Sequence, residues 1–209
     1  MIGRRRCILL LNLRTIDRVL TSEMTSDAAY RTEAQLNAGL LSILDSPKDG
    51  GTLALIVTRP KRGQRRLLSE AEISQDEGLC GDHWAATTSH RLDDGRPDPR
   101  LQISLINVRL LALVAGIEDR IPLAGDNLVV DLDLSFENLP VGQRLEVGEV
   151  EIEITDYPHL GCRKFCDRFG PDAKAFVNSD LGKQLRLRGV YARVVHGGLI
   201  RRGDSIRKL

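Results

Sequence analysis

Residues 143–155 read QRLEVGEVEIEIT. Leu145 and Val147 alternate with charged residues, Gly148-Glu149 interrupts the run, and Val150, Ile152 and Ile154 resume it. A period of two marks a strand with one buried face, and a two-residue break led by glycine suits a type II′ turn. The stretch therefore reads as a β-hairpin with an aliphatic inner face and a glutamate-rich outer one. The pattern continues on both sides. LVVDLDLSF (128–136) alternates before the hairpin, and LRLRGVYARVVHGGLIRRGDSI (185–206) after it gives two or three strands joined at His196-Gly197-Gly198. LQISLINV (101–108), TLALIVTRP (52–60) and RRLLS (65–69) are further strands, the second stopped by Pro60.

Helical signals are fewer. Leu36, Leu40, Ile43 and Leu44 recur at helical spacing, which predicts a helix over 28–44 with Asp27 as cap and DSPKDGG as its end. RLLALVAG (109–116) predicts a second helix ended by Gly116, and Ser69 with Glu72 has capping-box spacing for a short third. TTSHRLDDGRPDPR (87–100) is a polar loop of the length usually reserved for function. Nothing alternates strand and helix as a doubly wound sheet does. The fold class is mainly β (α+β): a curled, barrel-like mixed sheet with a few peripheral helices.

Composition narrows the function. The 209 residues carry 30 Lys and Arg against 29 Asp and Glu, so no whole-molecule field draws the chain to nucleic acid, and anion binding needs a local cluster. A chain this long buries a core without staples, so a metal would be functional rather than structural. The four cysteines are scattered and do not form a disulfide framework, which points to reduced thiols and a cytoplasmic setting. At the N-terminus, a basic patch precedes Ile8–Leu13, but Asn12 interrupts the run and Arg14 closes it, short of a secretory apolar region of about 7–15 residues. No stretch reaches the ~20 apolar residues of a membrane span. Residues 1–24 read as a flexible N-terminal extension, with Met24 a natural alternative start and Cys7 of no consequence; the domain proper runs over 25–209.

The chemistry concentrates in HLGCRKFCDRFGPDA (159–173). Cys162, Phe165, Cys166 and Phe169 occupy positions i, i+3, i+4 and i+7 of a helix and share one face. Cys166, between two phenylalanines, suits a core. Cys162 follows Pro158-His159 and Gly161 at the expected first turn, where free N–H groups and nearby Arg163, Lys164 and Arg168 favour a thiolate, the form that ligates metals and carries sulfur.

These residues resemble the MOSC domain family, named for the C-terminal part of molybdenum cofactor sulfurases and known also as standalone bacterial proteins. The resemblance runs from about Leu36 to the C-terminus. It is carried, in order, by GLCGDHW (78–84), LQISLINV, AGDNL (124–128), VGQRLEVGEVEIEIT (141–155), HLGCRKF (159–165) and GVYARVVHGGLIRRGDSI (189–206). It implies a MOSC-type β-barrel and a thiolate, at Cys162, that carries sulfur or ligates molybdenum in a bound molybdenum cofactor (molybdopterin). The implied reaction is sulfur transfer to a metal centre or reduction of an N-hydroxylated small-molecule substrate. The implied partner is a cysteine desulfurase or an electron-donor protein, with neither nucleic acid nor membrane. Pyridoxal phosphate belongs to the family's label alone, since no lysine context here marks such a site. Two positions depart from the pattern: His83 stands where an arginine is usual, and Gly161 where a proline is.

For the cofactor, Gly125, Asp126 and Asn127 offer a tight turn with backbone and amide donors, or an ordinary entry to a strand. Asp82 orients a ligand or an arginine, or caps its loop, with His83 beside it. Arg188 faces an anionic pterin or a solvated sheet face; Arg163 and Lys164 are further cationic candidates. Two rival readings use the same residues. Cys80, His83, His159 and Cys162 have the residue types and gaps of a tetrahedral zinc site. Cys162 and Cys166 form a candidate thiol–disulfide pair, against which stands the strain of bridging within a helix.

Overall fold

A computed structural model describes residues 30–87 and 90–209 and the backbone of 19–21. In chain order the strands are β1 (Val19–Thr21), β2 (Gly51–Thr58), β3 (Gln64–Leu68), β4 (Glu70–Ser74), β5 (Gly78–Leu79), β6 (Ile103–Asn107), β7 (Leu128–Asp131), β8 (Arg144–Val147), β9 (Val150–Ile154), β10 (Val190–His196), β11 (Gly198–Arg201) and β12 (Ser205–Lys208). The helices are α1 (Glu33–Leu44), α2 (Val108–Ala115), α3 (Arg163–Phe169), α4 (Pro171–Asn178) and α5 (Asp180–Gln184), with 3-10 turns at Pro99–Leu101 and Glu118–Ala124.

The hairpin forms as its sequence dictates. β8 pairs with β9 from Arg144↔Glu153 to Val147↔Val150, leaving Gly148-Glu149 as the turn. Gly148 has φ +58° while Glu149 keeps a negative φ, the combination of a type II′ rather than a type I′ turn. From this hairpin the sheet runs β2-β12-β8-β9-β10-β6-β7, and pairing of β7 back onto β2 closes it into a seven-stranded barrel. All its pairs are antiparallel except β6–β7, whose parallel register is spanned by the crossover through α2. β2 is the hub: it pairs with β12 near its start, with β3 near its end and with β7 along its other edge. β4, β5 and β11 form a separate small sheet.

Two cores result. Leu53, Ile103, Leu128, Leu145, Ile152, Ala192 and Ile206 fill the barrel. Leu55, Val57, Ile106 and Val129 point outward and pack under the helices with Leu36, Leu110, Phe165, Phe169 and Val177. β2, β6 and β7 are therefore buried on both faces, which is why Leu53–Val57 and Leu128–Val130 are unbroken apolar runs while β8 and β9 alternate.

The main differences from the sequence reading lie in local elements. Residues 70–74 form a strand, with Ala71 and Ile73 inward, rather than a helix started by Ser69; the period of two outweighs the capping-box spacing. Helix α1 starts at Glu33 behind a Thr32–Gln35 capping box, and Asp27 lies outside the described residues. Helices α4 and α5 were not foreseen, although Pro171 after Gly170 and Ser179 before Asp180 are helix-start signals. Of the N-terminal residues read as an extension, Val19–Thr21 pair antiparallel with β3; 1–18 and 22–24, including Cys7 and Met24, lie outside the described residues. No helix among the described residues is long and apolar enough to cross a membrane.

Candidate functional site

The end of β2 delivers Arg59 to the loop after β5. Its main-chain N–H and Nε both donate to Asp82 Oδ2 at 2.9 Å, and Nη2 donates to Asp82 Oδ1 at 2.9 Å. Burial by itself would raise the Asp82 carboxyl, but the Arg59 hydrogen bonds and charge prevail and hold it below the ordinary aspartate value. Burial would equally lower the Arg59 guanidinium, yet Asp82 raises it. Asn127 joins this pair to the barrel: its Nδ2 donates to Asp82 Oδ2 at 3.1 Å, and its Oδ1 accepts from Arg59 Nη2 and from the Ser104 N–H and hydroxyl.

One residue earlier, Asp126 accepts from Arg188 Nη1 on both oxygens, at 2.9 and 2.8 Å, with both side chains almost wholly excluded from water. His159 lies beside them, its Nε2 3.6 Å from Asp126 Oδ1, beyond hydrogen-bond reach, and its ring stacked on Tyr191 at 4.1 Å. Burial, then the charges of Arg188 and Arg59, press the His159 pKa far down, so the ring is neutral. Burial, then Asp126, pushes the Tyr191 hydroxyl up to about 12.

Cys162 is the residue before α3, in extended backbone (φ −92°, ψ −178°), and it is exposed. Its side chain makes no capping hydrogen bond to the first turn, and the cation whose charge is coupled to it is Arg168. Burial lowers the Arg168 pKa, Cys162 counters this, and Arg188 adds to the lowering. Arg65 is 7% exposed, and burial, then Arg168 and Arg59, press it down to about 10. Its Nη1 reaches only the Gln64 carbonyl, at 3.3 Å, and its Nε has no partner. Gly125, at φ +77°, leaves the room it occupies: a Cβ there would stand 2.8 Å from Arg65 Nη2.

The structure thus brings Gly125, Asp126, Asn127, Asp82 and Arg188 together around Arg59 and Arg65, with Cys162 joined through Arg168. His83 sits at the rim, its ring half-exposed and Nδ1 3.4 Å from Asp82 Oδ1 without hydrogen-bond geometry; Asp82 has Arg59 as its guanidinium. Arg163 and Lys164 are exposed on the first turn of α3 and outside the cluster. Cys166 is half-buried rather than a core residue. The zinc reading is corrected: among the described residues no three His, Cys, Asp or Glu side chains converge as a metal site. Cys80 instead lies with Ser74, Glu77 and Glu72, where burial raises its thiol pKa. Cys80, Cys162 and Cys166 are all free thiols. A cavity of about 270 Å³ between α1, α4 and α5 contains none of the cluster residues.

Arg59 and Arg65 are the residues sequence reading missed as parts of the site; Arg168 was named there only as a cation beside the thiol. A signal existed for Arg65: it is in phase with Leu67 on the side of β3 that packs under the helices, so the alternation that buries the leucine buries the arginine.

The closed barrel thus carries an exposed thiol and buried guanidinium groups on one side. The MOSC domain model matches residues 100–207, and the chain belongs to the MOSC domain family. Among solved structures, the YuaD protein from Bacillus subtilis is 20% identical with a TM-score of 0.56, the match covering 76% of this chain and 94% of that one. YiiM from Geobacillus stearothermophilus is 15% identical with a TM-score of 0.51, over 76% and 75% of the two chains. At these identities the likeness is one of fold. No curated protein matches the chain.

Proposed function

We propose that this protein binds the molybdenum cofactor at the Cys162 cluster, with the Cys162 thiolate as soft ligand or sulfur carrier. One observation carries the reading: Arg65 and Arg168, two guanidinium groups largely out of water, form no ion pair among the described residues, and the acid acting on both, Asp126, is taken by Arg188. Unpaired buried cations are costly, so a site that keeps two of them beside a thiol is built for an anion. The orphaned atoms Arg65 Nε, Arg188 Nε and His159 Nδ1 are the donors or acceptors left over for such a ligand. The residues present fit a phosphate-bearing, sulfur-rich group.

Each residue then has a task. Asp82, Arg59 and Asn127 form the rigid frame, with Gly125 and Asp126 setting the turn that leaves Arg65 its space and holds Arg188. Arg65, Arg168 and Arg188 supply guanidinium donors for a phosphate, and neutral His159 presents Nδ1. When bound, the cofactor supplies a redox-active metal with affinity for soft thiolate. The exposed position of Cys162 gives a sulfur donor or a small substrate access to it. Two uses of the site follow: sulfur delivered by a cysteine desulfurase and passed to a metal centre, or reduction of an N-hydroxylated compound with electrons from a donor protein. The test is the molybdenum and pterin content of protein purified from cofactor-competent cells. Stoichiometric amounts of both are expected, and absence of both contradicts the reading.

A further inference from the structure

The turn carrying Cys162 is held from behind by one side chain. Asn178, the last residue of α4, lays its carboxamide against Gly161: the Gly161 N–H donates to Asn178 Oδ1 at 2.8 Å, and Asn178 Nδ2 donates to the Gly161 carbonyl at 2.9 Å. Both main-chain polar groups of a buried residue are satisfied by one planar amide, a pairing usually supplied by a neighbouring strand. The next residue is the exposed Cys162. Space at Gly161 is closed, since a Cβ there would lie 2.8 Å from Val177 Cγ2 and 3.2 Å from Asn178 Nδ2. On one side of this clamp His159 is fixed by its stack on Tyr191; on the other, α3 is fixed by buried Phe165 and Phe169. Between those anchors, Asn178 is the side chain that grips the main chain at the residue before the thiol.

We infer that Asn178 is a positioning residue for Cys162: its two hydrogen bonds fix the backbone at Gly161 and so set where the thiol stands relative to Arg168. The inference rests on the reading of Cys162 as the reacting thiolate. It also accounts for glycine at 161. Proline there would have no N–H to donate to Asn178 Oδ1, and its ring would run into Val177. In this chain glycine and asparagine together fix by hydrogen bonding the backbone that proline fixes covalently. Asn178→Ala leaves a buried N–H and C=O without partners, and Asn178→Asp sets a carboxylate oxygen against the Gly161 carbonyl; both release the turn.

The experiment uses the full chain without cofactor. Cys162 alkylation is followed by mass spectrometry, which separates it from the other cysteines, with anionic iodoacetate and neutral iodoacetamide in parallel. The ratio of the two rates reports the cations around the thiol, and lowered global stability alone does not move it while the protein stays folded, as checked by urea unfolding. The wild-type ratio should exceed that of the urea-unfolded chain. Asn178→Ala should lower it by about three-fold, the size of one nearby cation's effect in water. If Asn178→Ala does not fold, the near-isosteric Asn178→Asp is read the same way. A folded variant with the wild-type ratio overturns the inference, as does a wild-type ratio equal to that of the unfolded chain. The readout needs no cofactor, so absence of molybdenum and pterin from the purified protein would contradict the proposed function and leave this result standing.

Discussion

One nitrogen of Arg188 holds both carboxylate oxygens of Asp126, at 2.9 and 2.8 Å, where the two side chains are 9% and 1% exposed. Removing one member of such a pair leaves the other as an uncompensated buried charge. Asp126→Ala should therefore lower the unfolding free energy by about 3–5 kcal/mol, read from urea denaturation. A loss below about 1 kcal/mol would mean that water reaches Arg188 freely.

The neutral His159 ring gives a pH signature at mild acidity. Its folded pKa lies far below the unfolded value near 6.5, so below that value the unfolded chain takes a proton that the folded one refuses. Its contribution is constant above about pH 6.5 and is lost progressively as pH falls, by up to ~1.4 kcal/mol per unit. His159→Phe, which keeps a ring against Tyr191, should flatten stability between about pH 6.5 and 5. An unchanged slope in this variant would contradict burial of the ring.

Asp82 acts in a lower window. Its folded pKa is depressed, so the stability from its pairing with Arg59 is complete above the unfolded value of about 3.8 and disappears as pH falls through the folded one. Asp82→Asn should be less stable than wild type at neutral pH, and the gap should close below about pH 3.8, followed by urea midpoints. A gap independent of pH would show that shape rather than charge makes the contact.

How much of this was legible in the sequence depends on how local each signal is. The hairpin, the strands on either side and the barrel class follow from a period of two that needs no distant partner. Cys162 was found because its neighbours in the chain mark it. The turn of Gly125, Asp126 and Asn127 was visible, but whether it was a ligand turn or a strand entry was not, because its partners Arg59, Arg188 and Ser104 come from remote segments. Alternation gave no reliable phase for Arg188: Gly189, at φ +101° where a Cβ would run into the Leu105 carbonyl oxygen, breaks the phase just before β10 begins. Arg59 and Arg65, which lie outside the matched residues 100–207, became site residues only when β2 and β3 were placed beside the 124–127 turn.

The arginine pair predicts a trade of stability for binding. With its pKa pressed down to about 10, Arg65 as a cation disfavours the folded state, so Arg65→Met should unfold at higher urea than wild type at neutral pH. Inorganic phosphate should stabilise the wild type by about 1.4 kcal/mol at ten times its Kd, beyond sodium chloride of equal ionic strength. Arg65→Met should lose most of that response. A variant both less stable and equally responsive would remove Arg65 from the anion site.

The central claim concerns one sulfur atom, and the most direct measurement compares the molybdenum and pterin content of Cys162→Ser with that of Cys166→Ser, each purified from cofactor-competent cells. Cys166 is half-buried, so its serine variant should cost less than about 1 kcal/mol and retain wild-type content. Cys162→Ser should fold as wild type and lose its molybdenum, because serine keeps the shape and removes the soft ligand. Wild-type molybdenum and pterin in Cys162→Ser would contradict Cys162 as the metal's soft ligand.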